Sequence, residues 1–152
     1  MKPWYLFVLL TILCWGAYVP MIHNGQFGFG PKPNALRAFM FVGVAYFVMS
    51  VLVLGWVLMS KVEPLTMTTR GVTVSTLAGV LGALGALGIV FALMNGGRPL
   101  VVAPLVFAGA PVVNTLVSML WHKPATAPSP MFFVGIGLAA VGASIVLYYK
   151  PA

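Results

Sequence analysis

Acidic residues are almost absent from this sequence. It contains one, Glu63, among 152 residues, and charged residues of both signs make up only 6%. A soluble domain usually has about a quarter of its residues charged, because charged side chains cover its surface. Hydrophobic residues make up 61% of the chain. This composition argues against a water-soluble domain and indicates a protein whose solvent is a lipid bilayer.

The scarcity of acids also argues against several kinds of chemistry. Without aspartate there is no Ser-His-Asp triad, and Glu63 lies beside Pro64 in a polar segment, outside any apolar run. No predicted span therefore holds the carboxylate that proton-coupled pumps usually need. His23 and His122 are far apart in sequence, and Cys14 is the only cysteine, so no disulfide can form within the chain. We expect neither an enzyme nor a metal or cofactor site.

Five apolar stretches are long enough to cross a bilayer, which takes about 20 residues. They cover residues 3–22, 35–59, 72–94, 99–121 and 131–149. The intervening segments are short and rich in Gly, Pro, Asn and Ser, which stop helices and form turns. The sequence therefore predicts an all-α membrane protein, a single transmembrane domain over residues 1–152, in the cytoplasmic (inner) membrane.

The basic residues divide evenly between the two predicted membrane faces. The net charge of +7 comes from eight residues scattered singly, which indicates membrane-flanking anchors and no nucleic-acid partner. One face carries Lys2, Lys61, Arg70 and Lys123, and the other carries Lys32, Arg37, Arg98 and Lys150. Orientation normally follows an excess of Lys and Arg in cytoplasmic loops. Either another factor fixes one orientation, or both orientations occur and pair with each other.

Polar and aromatic side chains on helices 1 and 2 are candidate substrate contacts. Thr11, Trp15 and Tyr18 follow at i, i+4 and i+7 on helix 1, so they share one face. Trp15 and Tyr18 near a span end are more often interfacial anchors, although Gly16 and Pro20 favour a shaped cavity. On helix 2, Tyr46 and Ser50 lie four residues apart near mid-membrane. Arg37 either snorkels to the headgroups or attracts an anionic solute at a cavity mouth.

Helix 4 is broken by two prolines. Pro104 and Pro111 have no N–H, so the carbonyls of Leu100 and Phe107 lose their usual helical partners. Asn114 and Ser118 follow Pro111 on the same side. Asn114 is costly against lipid, so we expect it to face the interior, where it either bonds a neighbouring helix or binds substrate.

Small residues on helices 3 and 5 predict close helix packing. Gly79, Gly82, Gly85 and Gly88 recur every third residue on helix 3, for which we expect packing within the chain. Helix 5 carries Gly135, Ala139 and Ala143 at a spacing of four. This ridge suits packing within the chain or between two chains.

Several of these short patterns occur together, in order, over nearly the whole chain. They are Trp15-Gly16 with Pro20, Ala35-Leu36-Arg37, Phe91-Ala92-Leu93, Ala103-Pro104-Leu105, Pro111-Val112-Val113 and Gly135-Ile136-Gly137 with Gly142. In these features the chain resembles the EamA-type half of the drug/metabolite transporter superfamily. The resemblance implies a family with ten helices in two inverted repeats of five, which moves small metabolites. This chain is similar to one repeat.

A lone repeat can form the substrate cavity of an inverted-repeat transporter only with a second copy, or a paralogous half, in the opposite orientation. We therefore expect a secondary transporter subunit for a small polar metabolite, which assembles as an antiparallel homodimer or heterodimer and works by alternating access. Its expected substrate-binding residues are Trp15, Tyr18, Arg37, Tyr46, Ser50, Asn114 and Ser118. The alternative is a non-transporting accessory or scaffold subunit of the membrane.

Overall fold

The structure is a computed structural model that describes residues 2–121 and 126–150. In this part of the chain it has five α-helices: α1 (Trp4–Phe27), α2 (Ala35–Ser60), α3 (Thr69–Met94), α4 (Pro99–Trp121) and α5 (Pro130–Tyr148). Each is long and apolar enough to span a membrane. This confirms the predicted all-α architecture of five membrane helices. His122 and Lys123, which precede the Pro-rich connector to α5, lie outside the described residues.

The helix ends follow from local chemistry. The Thr68 hydroxyl caps α3 by accepting a hydrogen bond from the Gly71 N–H at 3.2 Å. Ser129 caps α5 through the Met131 N–H, and Pro130 follows as the first helical residue, where a missing N–H costs nothing. Lys61 ends α2 in the left-handed conformation, at φ 51°, and its N–H bonds the Val57 carbonyl.

Helix α1 extends further than the sequence predicted. It ends at Phe27, five residues beyond the predicted boundary at residue 22. The polar residues after Ile22 are held in helix by contacts with the following segment: the Gln26 carbonyl accepts a hydrogen bond from the Asn34 N–H at 2.7 Å. Phe29 also stacks on Phe41 of α2, with ring centroids 5.5 Å apart. The start of α3 at Thr69, three residues earlier than predicted, follows from the Thr68 cap.

The chain divides into two compact units. One comprises the residues up to Val19 and those from Gly97 onward, and the other comprises Pro20–Gly96. In the first unit α4 packs along α5, and in the second α2 packs along α3. The boundaries fall at Pro20, which interrupts the hydrogen bonding of α1, and at the Gly96-Gly97 turn. Both are positions at which a helix is weakened or stopped.

Few side chains are buried in either unit. The buried hydrophobic residues of the second unit include Ile22, Ile89, Val90 and Leu93. Helix α5 has no buried residue. Soluble monomers rarely expose contiguous apolar surface on this scale. The apolar helix surfaces therefore face lipid or other transmembrane helices, and the protein is an integral membrane protein.

The glycines of α3 do not pack closely within the described chain. A Cβ atom added at Gly79, Gly82, Gly85 or Gly88 would meet no atom of another element within 4 Å. Within the second unit, to which α3 belongs, these four glycines therefore make no close helix contact. The expectation that they allow packing against another helix of the same chain stays a prediction.

Candidate functional site

A cavity of about 480 Å³ lies between α1 and α4 in the first unit. Both helices contribute small or aromatic residues to its wall. The lining residues are Thr11, Ile12, Trp15 and Gly16 of α1 and Val106, Phe107 and Ala110 of α4. A volume of this size falls in the range of small-molecule sites.

The cavity lies halfway along both helices. Trp15 is 15 − 4 = 11 residues from the start of α1 and 27 − 15 = 12 residues from its end. Ala110 is 11 residues from either end of α4, since 110 − 99 = 121 − 110 = 11. At 1.5 Å per residue these separations are about 17 Å, so the cavity is near the middle of the two helices. The role of Trp15, as interfacial anchor or substrate contact, stays a prediction.

Aromatic rings shape the cavity wall. The Trp15 and Phe107 rings meet edge to face, with centroids 6.1 Å apart and an interplanar angle of 76°. The Tyr18 ring is tilted by 42° against that of Trp15, with centroids 6.3 Å apart, but Tyr18 is not itself a lining residue, and its substrate role stays a prediction. The Thr11 hydroxyl donates to the Phe7 carbonyl at 2.9 Å, which leaves its oxygen as an acceptor. The wall is thus apolar and aromatic, with little hydrogen-bonding capacity from side chains.

Two backbone carbonyls add polar groups at cavity residues. Pro20 deprives the Gly16 carbonyl of its usual helical donor, and Pro111 does the same to the Phe107 carbonyl. Gly16 and Phe107 both line the cavity. In a membrane such interrupted backbone is tolerated where it is buried in protein or lines a cavity. The exposed lining of the cavity is almost entirely apolar, however, so the two carbonyls add at most a small polar surface to it.

Asn114 and Ser118 are exposed residues of α4 just beyond the cavity. Asn114 follows Ala110 by four residues and Phe107 by seven, so the three share one helix face. The described part of the chain offers no hydrogen-bond partner to the Asn114 side chain. The interior position expected for Asn114 is not reached within the single chain, and its substrate role stays a prediction.

The remaining predicted residues belong to the second unit and do not line this cavity. Tyr46 is 64% exposed, and the Ser50 hydroxyl is used locally, since it donates to the Phe47 carbonyl at 2.7 Å. Arg37 is exposed in the first turn of α2. These three positions are open to lipid, headgroups or a second chain, and their substrate roles stay predictions.

Two polar residues near the end of α1 were not anticipated. Gln26 is only 2% exposed, and its Nε2 has no hydrogen-bond partner; the buried Nδ1 of His23, one turn earlier, has none either. An unsatisfied buried donor costs about 1–3 kcal/mol. Val19, Ile22 and Gln26 follow at i, i+3 and i+7, a helical spacing that places Gln26 on the same face as two apolar residues. The helix predicted from the sequence ended at residue 22, so this spacing was not used.

A metal site has no support in the residues described here, since they contain no cluster of three His, Cys, Asp or Glu side chains. Comparison with protein-family models, curated proteins and solved structures finds no match to this chain.

Proposed function

We propose that this chain is a subunit of a secondary transporter, and that it binds a small metabolite in the cavity between α1 and α4. The observation that carries the proposal is the position of this cavity, halfway along two helices that are interrupted by proline. Transporter sites typically lie near the bilayer midplane, between discontinuous helices whose free backbone groups contact the solute.

The lining narrows the class of solute. A strongly hydrated molecule would lose its water without replacement at Ile12, Val106 and Ala110, at a large free-energy cost. A molecule with an apolar or aromatic body fits the Trp15 and Phe107 rings, and a few N–H or O–H groups could donate to the freed carbonyls. The proposed solute is thus less polar than the metabolite expected from the sequence. The spans contain no acid, which disfavours coupling through an intramembrane carboxylate.

The proposal includes a second chain in the opposite orientation, as a homodimer or with a paralogous half. Five crossings place the termini on opposite faces, so two such chains form an inverted repeat only when antiparallel. The even division of the basic residues is compatible with insertion in both directions. Exposed Asn114 on the cavity face of α4 supports a protein neighbour there, because an amide facing lipid is costly. Residence in the cytoplasmic membrane and membership of the EamA-type family are part of this proposal.

Solute flux into proteoliposomes tests whether the chain transports a solute through the cavity between α1 and α4. The purified chain is reconstituted and assayed for uptake of radiolabelled aromatic amino acids and nucleosides, with a sugar as the strongly hydrated comparison. The same assays are then run on the variant Gly16→Leu. A Cβ added at Gly16 meets no atom within 4 Å, and Gly16 lines the cavity, so the bulk of a leucine there should occupy cavity space. We expect Gly16→Leu to reduce flux of the accepted solute about tenfold or more, since a blocked site loses over 1.4 kcal/mol of binding.

The matched control is Gly43→Leu, at an exposed glycine of α2 where an added Cβ also meets nothing within 4 Å. It should keep wild-type flux. Equal flux in both variants would exclude the α1–α4 cavity as the transport site. Loss of flux in both would show that added bulk, and not the cavity, is responsible.

The second candidate is an accessory or scaffold subunit. It is favoured by α5, none of whose residues is buried although the helix packs on α4. Such a surface suits lateral association with another membrane protein. Proteoliposomes that show no flux of any solute, while the reconstituted chain keeps its native oligomeric state, would favour this function.

A further inference from the structure

The end of α1 contains two buried polar atoms that the chain leaves unsatisfied, Nε2 of Gln26 and Nδ1 of His23. The residues are three apart, so both lie on one helix face, and helical side chains lean toward the N-terminus. Both residues belong to the second unit.

Other contacts hold these residues in place without satisfying the two atoms. The Gln26 main chain accepts the Asn34 N–H at 2.7 Å. The His23 ring meets the Phe27 ring edge to face at 5.3 Å. Buried polar atoms in proteins are nearly always paired with protein, water or a ligand. Both atoms are enclosed in the folded chain, so a ligand that pairs with them has to lie among the side chains at this end of α1.

The missing partner must accept hydrogen bonds, because the Gln26 Nε2 is only a donor. The sole side-chain carboxylate of the protein, Glu63, is exposed in the loop after α2 and does not accept a hydrogen bond from the Gln26 Nε2, which has no partner. The N-terminus of α2 follows directly on Asn34, and its first turn contains no acid. Lys32 and Arg37 flank this helix start. A helix N-terminus and two cations favour a negatively charged ligand.

We propose that Gln26 and His23 bind a small carboxylate, with the Gln26 Nε2–H and the Nδ1–H tautomer of His23 donating to its oxygens. The site shares no residue with the α1–α4 cavity. It therefore does not depend on transport through that cavity, and it adds a binding activity that the proposed function does not require.

The protein offers a direct probe, because Gln26 is its only glutamine. Protein labelled with ¹⁵N at the glutamine side chain gives one pair of amide resonances, which report on this site alone. The labelled protein in detergent micelles is titrated with sodium acetate, and separately with sodium chloride at matched ionic strength and with neutral acetamide. We expect a saturable shift with acetate, with a dissociation constant in the millimolar range for so small a ligand.

Three variants separate binding at this site from general effects. His23→Phe keeps a ring against Phe27 but removes the Nδ1 donor. It should lower the affinity for acetate about tenfold or more, because one hydrogen bond to a charged group is lost. Asn24→Ala removes an exposed polar side chain from the same turn and should leave the affinity unchanged. Acetate should also raise the melting temperature of the wild type but not of Gln26→Met.

Three results would overturn the proposal. The first is no saturable shift with acetate, or an equal shift with chloride. The second is a shift produced only by phosphate or by phosphatidylglycerol in nanodiscs, which would assign the site to a phosphate group. The third is a cross-peak from the Gln26 amide to water that acetate does not displace, which would identify a permanently bound water.

Discussion

The buried amide of Gln26 allows a stability prediction whose sign is unusual. Most substitutions of buried residues destabilise a protein. Gln26 is 2% exposed and its Nε2 has no partner, so the folded chain carries the desolvation cost of that group. Replacement by methionine removes the polar group and keeps an unbranched, adaptable side chain. We expect Gln26→Met to raise the free energy of unfolding when no ligand is bound.

The magnitude follows from two opposing effects. Removing an unsatisfied buried donor recovers about 1–3 kcal/mol. A volume-conserving exchange in a packed site costs less than about 1.5 kcal/mol. The expected net increase is therefore about 1 kcal/mol. It is measured by reversible unfolding with sodium dodecyl sulfate in mixed micelles, in chloride buffer that contains no carboxylate.

Asn24→Met is the matched control, because it removes an exposed amide from the same helical turn. It should change the free energy by no more than about 0.5 kcal/mol, as surface substitutions usually do. A decrease of more than about 1 kcal/mol in Gln26→Met alone would refute the reasoning, because the amide would then be satisfied in the folded state. With acetate at ten times its dissociation constant, the free energy of unfolding of the wild type should rise by about 1.4 kcal/mol. This rise should remove the difference between the wild type and Gln26→Met.

Three further predictions concern capping, assembly and orientation. Thr68→Ala removes the cap of α3 and should lower the free energy of unfolding by about 1 kcal/mol in the same assay, while Thr66→Ala, at an exposed loop position, should not; equal effects would exclude the cap as the cause. Ala139→Leu should increase the monomer fraction in native mass spectrometry if the α5 ridge joins two chains, and an unchanged oligomer would assign the ridge to packing within the chain. Reporter fusions after Lys150 should show both membrane orientations, or a reversal when two or three lysines are added to one set of loops; an orientation that resists such additions would exclude dual topology.

The five spans could be predicted from the sequence because membrane helices depend on local composition. Length, apolarity and the Gly- and Pro-rich breaks determine them without knowledge of tertiary contacts. The end of α1 could not be predicted in this way. His23, Asn24, Gly25 and Gln26 have the composition of a loop, and they are helical because the chain folds back and the Asn34 N–H bonds the Gln26 carbonyl.

The shifted end of α1 changes the interpretation of Trp15. A span that stops at residue 22 places this tryptophan nearer one end, whereas in the helix that continues to Phe27 it lies at the middle of α1. The helical spacing of Thr11 and Trp15 did identify one face of α1, and both residues line the cavity. The opposite wall, Phe107, was not predictable, because a local pattern does not specify which helix a given face meets.

One face of α4 combines the cavity with the surface available to a partner. Phe107 and Ala110 line the cavity, and Asn114 and Ser118 continue the same face at successive turns. The half-buried residues Ala108, Val112, Thr115 and Met119 form a separate stripe, which accounts for the side of α4 that packs within the chain. A second chain that shields Asn114 from lipid would therefore also approach the open side of the cavity. In an antiparallel pair each chain would then contribute to the site of the other. Solute binding and assembly would be linked through this one face, because any movement that opens the contact also exposes the bound molecule.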